Sequence, residues 1–144
     1  MVKFWDTSAL FPLFVHQPST QAVGTEFAAD PDVVVWWATG VECMSALARL
    51  EREHVLVGED MTIAIGRLDR LGASWREIQP ADTMRRTASR LLRTHSLRAA
   101  DAFQLAAARA ASEERPDTLP FVTLEERLAL AAQREGFEVI QPIA

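Results

Sequence analysis

Residues 30–54, DPDVVVWWATGVECMSALARLEREH, decide the fold. Asp30-Pro31 interrupts the chain, a β-branched and aromatic run fills 32–37, and Thr39-Gly40 interrupts it again, so the run reads as a strand between two breaks. Behind it Val41, Met44, Leu47 and Leu50 recur at spacings of three, the mark of a helix with one buried face.

The same alternation extends in both directions. Toward the start, VKFW at 2–5 is a short strand and SALFPLFV at 8–15 a helix, with Pro12 tolerated only near its first turn. Ser19 caps a helix through TQAVGTEFAA. Toward the end come a helix over 59–71, a strand over SWREIQP at 74–80, a helix over 81–94 and an alanine-rich helix, RAADAFQLAAARAA, at 98–111. LPFVT at 119–123 and FEVIQ at 137–141 are the last strands, separated by EERLALAAQRE, a helix that Gly136 ends. Strands alternating with helices predict an α/β fold: one domain over 1–144, with a central parallel sheet of about five strands and helices on both faces.

Composition sets the bounds. With 49% hydrophobic residues in 144, the chain can bury a core without disulfides. Disorder is expected only at loop tips such as SEERPDTLP at 112–120. The single cysteine, Cys43, excludes an internal disulfide and fits a reducing compartment. There is no basic leader with a cleavage site and no long apolar span, so the expectation is a cytoplasmic protein without a membrane partner. A net charge of −5 argues against nucleic-acid binding by bulk attraction alone. Cations nevertheless cluster locally: Arg85, Arg86, Arg90, Arg93 and Arg98, with His95 among them. They are either the solvated face of a helix or a phosphate-binding segment. Trp36, Trp37 and Trp75 are expected in the core rather than stacked on bases.

Four acids open elements: Asp6 in FWDTSAL, Glu42 in TGVECMSAL, Asp101 in LRAADAFQLAAA and Glu125 in FVTLEERLA. Each has an ordinary explanation. Asp6 can cap the following helix, Thr39 to Glu42 has capping-box spacing, and Asp101 is favourable in a first helical turn. Thr123 to Glu126 is again a capping-box spacing, which assigns Glu126 to the cap and leaves Glu125 free. Ligands in open α/β sheets bind beyond the carboxyl ends of the strands, the edge where Asp6, Glu42 and Glu125 belong. Carboxylates brought together there would form a site for a hard cation suited to phosphate-ester hydrolysis.

DTSAL after a short first strand, a Glu early in the helix after the second, LRAADAFQLAAA and FVTLEERLALAAQREGF together resemble a PIN domain, more narrowly a VapC-type toxin of a bacterial toxin–antitoxin pair. The resemblance spans essentially the whole chain. It implies an endoribonuclease dependent on Mg²⁺, with Mn²⁺ able to substitute, which is usually dimeric and neutralised by a cognate antitoxin. It places the metal-site acids on Asp6, Glu42 and Asp101 and the small polar residues on Thr7 and Ser8. The family's fourth acid is usually Asp, where Glu125 stands here, one methylene longer.

The expected site is therefore Asp6, Glu42, Asp101 and Glu125 on the metal, with Thr7, Ser8, Arg86, Arg93 and Arg98 on the RNA substrate. The rival is a PIN-fold module that sequesters antitoxin or RNA without cutting, kept open by Glu125. The chain lacks G-x-x-x-x-G-K, G-x-G-x-x-G and G-x-S-x-G, which removes nucleotide loops, dinucleotide folds and serine-hydrolase elbows. His16, His54 and His95 have no zinc-ligand spacing with Cys43.

Overall fold

A computed structural model describes residues 1–143. The strands are β1 (Lys3–Trp5), β2 (Val33–Trp36), β3 (Arg76–Ile78), β4 (Phe121–Val122) and β5 (Val139–Ile140). They form one sheet in the order β3-β2-β1-β4-β5, every pairing parallel. Parallel neighbours require crossovers, and helices supply them. These are α1 (Thr7–Leu10), α2 (Thr20–Ala29), α3 (Thr39–Arg52), α4 (Glu59–Gly72), α5 (Asp82–Thr94), α6 (Ala99–Ala111) and α7 (Glu126–Arg134).

Alternate side chains of each strand point to opposite faces, and the sheet divides the interior into two cores. Phe4, Val34, Trp36 and Phe121 pack with Met84, Leu91, Leu105 and Leu128 of α5, α6 and α7. Trp5, Val33, Val35 and Val122 pack on the other face with Leu10, Val23, Leu47 and Leu68 of α1 to α4. β1 lies at the centre, with β2 on one side and β4 on the other. Strand order therefore reverses between β1 and β4, which sets a crevice at their carboxyl ends.

Local departures from the sequence reading have local causes. The helix over 8–15 is two pieces, α1 and a 3₁₀ turn at Phe11–Leu13 with Pro12 in its first turn, where a residue without an N–H is tolerated. Ser19 precedes α2 but makes no side-chain cap; the Thr20 hydroxyl instead accepts the Gln17 N–H at 2.8 Å. The 112–120 segment holds ordered turns, including a 3₁₀ turn at Pro116–Thr118 closed by the Thr118 hydroxyl on the Arg115 carbonyl. Gly136 ends α7 at φ +99°, a conformation suited to glycine. Trp36 is buried and stacks on Phe103 with centroids 5.5 Å apart. Trp37 is not core: one residue past β2, it is 53% exposed at the carboxyl edge.

Candidate active site

Every predicted acid lies where an element starts at that edge. Asp6 follows β1, Glu42 is in the first turn of α3, Asp101 is in the first turn of α6, and Glu125 immediately precedes α7. Asp6 is almost fully buried, and its carboxylate accepts the Ser8 hydroxyl at 2.8 Å. Burial pushes its pKa up to about 7; the hydrogen bonds of Ser8 and Thr123 pull down, and the charge of Asp101 pushes further up. Asp101 is raised by burial first, then by the charges of Glu125 and Glu42, with Arg98 opposing. Asp6 and Asp101 are thus held up by burial first and by neighbouring negative charge second.

A buried polar layer holds these acids from behind. Gln104, one turn beyond Asp101 on α6 and 1% exposed, directs its amide nitrogen at Glu42 Oε1 (2.8 Å), Thr39 Oγ1 (3.1 Å) and Thr7 Oγ1 (3.2 Å). Thr7 donates to the same Glu42 oxygen at 2.6 Å. Bonds to both from one amide can come only from its NH₂ end, which fixes the amide orientation, and Gln104 Oε1 is left buried without a partner. On the other side the Ser8 hydroxyl accepts the Leu124 N–H at 2.9 Å, and the Thr123 hydroxyl accepts the Glu125 N–H at 3.0 Å. Gln104, Thr39 and Thr123 carry this layer; sequence reasoning passed over Gln104 and took the two threonines only as capping-box residues. The Cys43 thiol behind the site is pushed up to about 12 by burial and by Glu42 and Asp6, so it is an inert thiol.

Both capping-box readings fail. Thr39 lies inside α3 and makes no side-chain cap, because its hydroxyl faces Gln104 and Glu42 faces Thr7. Glu125, not Glu126, is the N-cap of α7, its carboxylate accepting the Arg127 N–H at 3.4 Å. Asp6 stands at the start of α1 without a side-chain cap bond.

The basic segment divides. Arg98 is the N-cap residue of α6 and lines a cleft of about 380 Å³ with Asp101, Glu125, Ala100 and Arg127. Arg86 and Arg93 are exposed on α5 and do not line that cleft. Arg90, which stays half-exposed, and the buried His95 side chain both bond to Glu135, at 3.0 and 2.8 Å. A larger groove of about 630 Å³ between α3 and α4, lined by Val41, Met44, Leu68 and Trp75, contains none of the four acids.

The donor set is hard, all carboxylate and hydroxyl oxygen, and suits a cation such as Mg²⁺. Among the described residues no three His, Cys, Asp or Glu side chains are already grouped closely enough to share one ion, so holding an ion would draw carboxylates inward.

No family model matches the sequence, and neither does any curated protein. Solved structures do match by shape. The chain is similar to FitAcB from Neisseria gonorrhoeae at 18% identity, covering 99% of this chain and 98% of that one with a TM-score of 0.68. It is similar to a toxin-antitoxin complex from Klebsiella pneumoniae at 17% identity, covering 97% of each chain with a TM-score of 0.63. VapBC2 from Rickettsia felis, solved bound to a DNA fragment from its promoter, matches at 11% identity over 98% of each chain, again with a TM-score of 0.63. At these identities the likeness carries architecture rather than activity: the chain shares with these proteins one fold, a five-stranded parallel sheet flanked by helices, as expected of a PIN-like domain.

Proposed function

We propose that this protein is a metal-dependent endoribonuclease that serves as the toxin of a toxin–antitoxin pair. One observation carries the reading: four acids rooted on four elements stand at one crevice of a parallel sheet, where neighbouring negative charge adds to burial in raising Asp6 and Asp101. Such an arrangement is unfavourable alone and becomes favourable when a cation is held among them. The similarity of fold to a protein described as a toxin–antitoxin complex supports the biological role.

In this reading Asp6 and Asp101 hold Mg²⁺, or Mn²⁺ in its place, with Glu42 completing the set. When bound, the cation supplies Lewis acidity, lowering the pKa of water and offsetting charge on the phosphoryl oxygens. Gln104 and Thr7 keep Glu42 oriented toward the crevice, and Ser8 does the same for Asp6. Glu125, on the rim, orients the attacking water. Arg98, with Arg86 and Arg93 farther out, offsets the repulsion an RNA backbone meets at an acidic mouth. Hydrolysis leaves a 5′-phosphate and a 3′-hydroxyl. The exposed apolar residues along α3 and α4, with the groove of Val41, Met44, Leu68 and Trp75, supply the contacts for a second copy and for the antitoxin.

A second reading draws on Glu125. Its carboxylate is engaged as the α7 cap and no three acids are preassembled, which suits a module that binds antitoxin or RNA without cutting. One assay separates the two: purified protein free of antitoxin, on total and transfer RNA, with Mg²⁺, Mn²⁺ or EDTA, beside Asp6→Ala and Glu125→Asp. Discrete cuts that need metal and vanish in Asp6→Ala establish the nuclease. Cuts only in Glu125→Asp establish the binding module.

A further inference from the structure

We infer that Arg98 and Arg127 form a clamp for an RNA phosphate adjacent to the one that is cut, a subsite that rests on the nuclease reading above. Both line the 380 Å³ cleft that also contains Asp101 and Glu125. Arg98 is the N-cap residue of α6, three positions before Asp101; Arg127 is the second residue of α7, two positions after Glu125. Each guanidinium is thus rooted beside one of the acids, on an element that fixes both.

Their placement runs against helix electrostatics. The N-terminus of a helix carries partial positive charge, and a cation there is disfavoured. Neither arginine forms a salt bridge among the described residues, whereas Arg90 and Arg109 do. Two exposed cations at two helix N-termini, facing one cleft, gain little for the fold. Toward a phosphate the same geometry is favourable, because guanidinium forks, helix-terminal N–H groups and macrodipoles all attract an anion. Two positive charges at the mouth also offset Asp101 and Glu125, which would otherwise repel the backbone they are to act on.

The test is fluorescence-anisotropy binding of a labelled single-stranded RNA in EDTA over a salt series, with the full chain and the variants Arg98→Gln, Arg127→Gln and Arg127→Lys. Each Gln variant should weaken binding severalfold and reduce the slope of log affinity against log salt by about 0.7, the loss of one phosphate contact. Arg127→Lys should restore the slope but only part of the affinity, since the planar fork is gone. Melting temperatures of the Gln variants should stay close to that of the parent, because neither arginine forms a salt bridge among the described residues and the lost offset of Asp101 and Glu125 opposes the relief at the helix N-termini. Arg127→Gln with unchanged affinity and slope overturns the clamp, and so does a binding loss that tracks a lowered melting temperature. If Arg127→Gln keeps RNA binding but loses capture of an acidic antitoxin peptide, the pair serves a protein carboxylate and the clamp is again overturned. Parent protein that cuts RNA while Arg127→Gln binds and cuts identically removes the clamp alone. Parent protein that neither binds nor cuts removes the nuclease reading with it.

Discussion

Asp6 shows what the site costs the fold. Its carboxyl is raised from an ordinary 3.8 to about 7, chiefly by burial. A folded-state pKa above the unfolded one means that the folded form binds the proton more tightly. The carboxyl therefore subtracts stability as pH climbs from about 4 to 7, and the whole cost is present above that. Asp6→Asn keeps the hydrogen-bonding shape without the charge. In EDTA at pH 8 it should raise stability by an amount on the order of 3 kcal/mol, shrinking to nothing near pH 4, while abolishing cleavage. Thermal melts across pH decide it; a variant no more stable than the parent at pH 8 contradicts the buried, charged Asp6. Gln104 calls for a different measurement. Gln104→Leu preserves volume but removes the donor shared by Glu42, Thr7 and Thr39. Metal-dependent cleavage should drop about 10- to 100-fold, or the Mg²⁺ requirement rise by that factor. Full activity at the parental Mg²⁺ concentration would remove Gln104 from the site. The acids were legible because each stands beside an element break, whereas Gln104 sits between Phe103 and Leu105 in an alanine-rich helix, where glutamine is simply a good helix former.

At the scale of elements, α5 shows why a charge run underdetermines its role. Five arginines and a histidine within fourteen positions look alike in sequence, yet the helix turns them to different sides. Arg90 and His95, with Arg109 of α6, converge on the nearly buried Glu135 beyond α7. That cluster fastens α5, α6 and the end of α7 together, and Glu135 lies 40 residues from His95, too far for any local pattern to reveal. Burial pushes the Glu135 carboxyl up, but the hydrogen bonds of Arg90 and His95 and the charges of Arg90 and Arg109 prevail and hold it below its ordinary 4.5. The sign is opposite to that of Asp6: the stabilisation is complete above the ordinary value and is lost as pH falls through the depressed one. Glu135→Gln should cost about 3 kcal/mol at neutral pH, because Arg90 and Arg109 lose their counter-charge and His95 its carboxylate partner, and should flatten the acid limb of a melting curve below pH 4.5. An unchanged neutral-pH melting temperature would show that the network is only decorative. The capping boxes failed for a related reason. Spacing alone does not distinguish a threonine that caps its own helix from one that reaches a neighbouring element, as Thr39 reaches Gln104.

For the whole molecule, the alternation of apolar runs with helical periods was enough to fix architecture, because a parallel sheet leaves few other solutions. Strand order was not readable in the same way. The position of β1 between β2 and β4 depends on which crossovers pass which face, a matter of packing among distant helices. The site inherits that dependence, since the acids share a crevice only because β1 and β4 are neighbours.

Central placement of β1 also has a temporal consequence. Ser8 and Leu124, which bond across the crevice, are 116 positions apart in the chain, so a ribosome working at about 5–20 residues per second spends on the order of ten seconds between them. During that interval Asp6 and Glu42 exist without Glu125, and β1 has one edge open. A site built this way is incomplete while the chain is being translated, and its last quarter completes it; under the function proposed above, that interval is the time a neutralising partner would have to be ready.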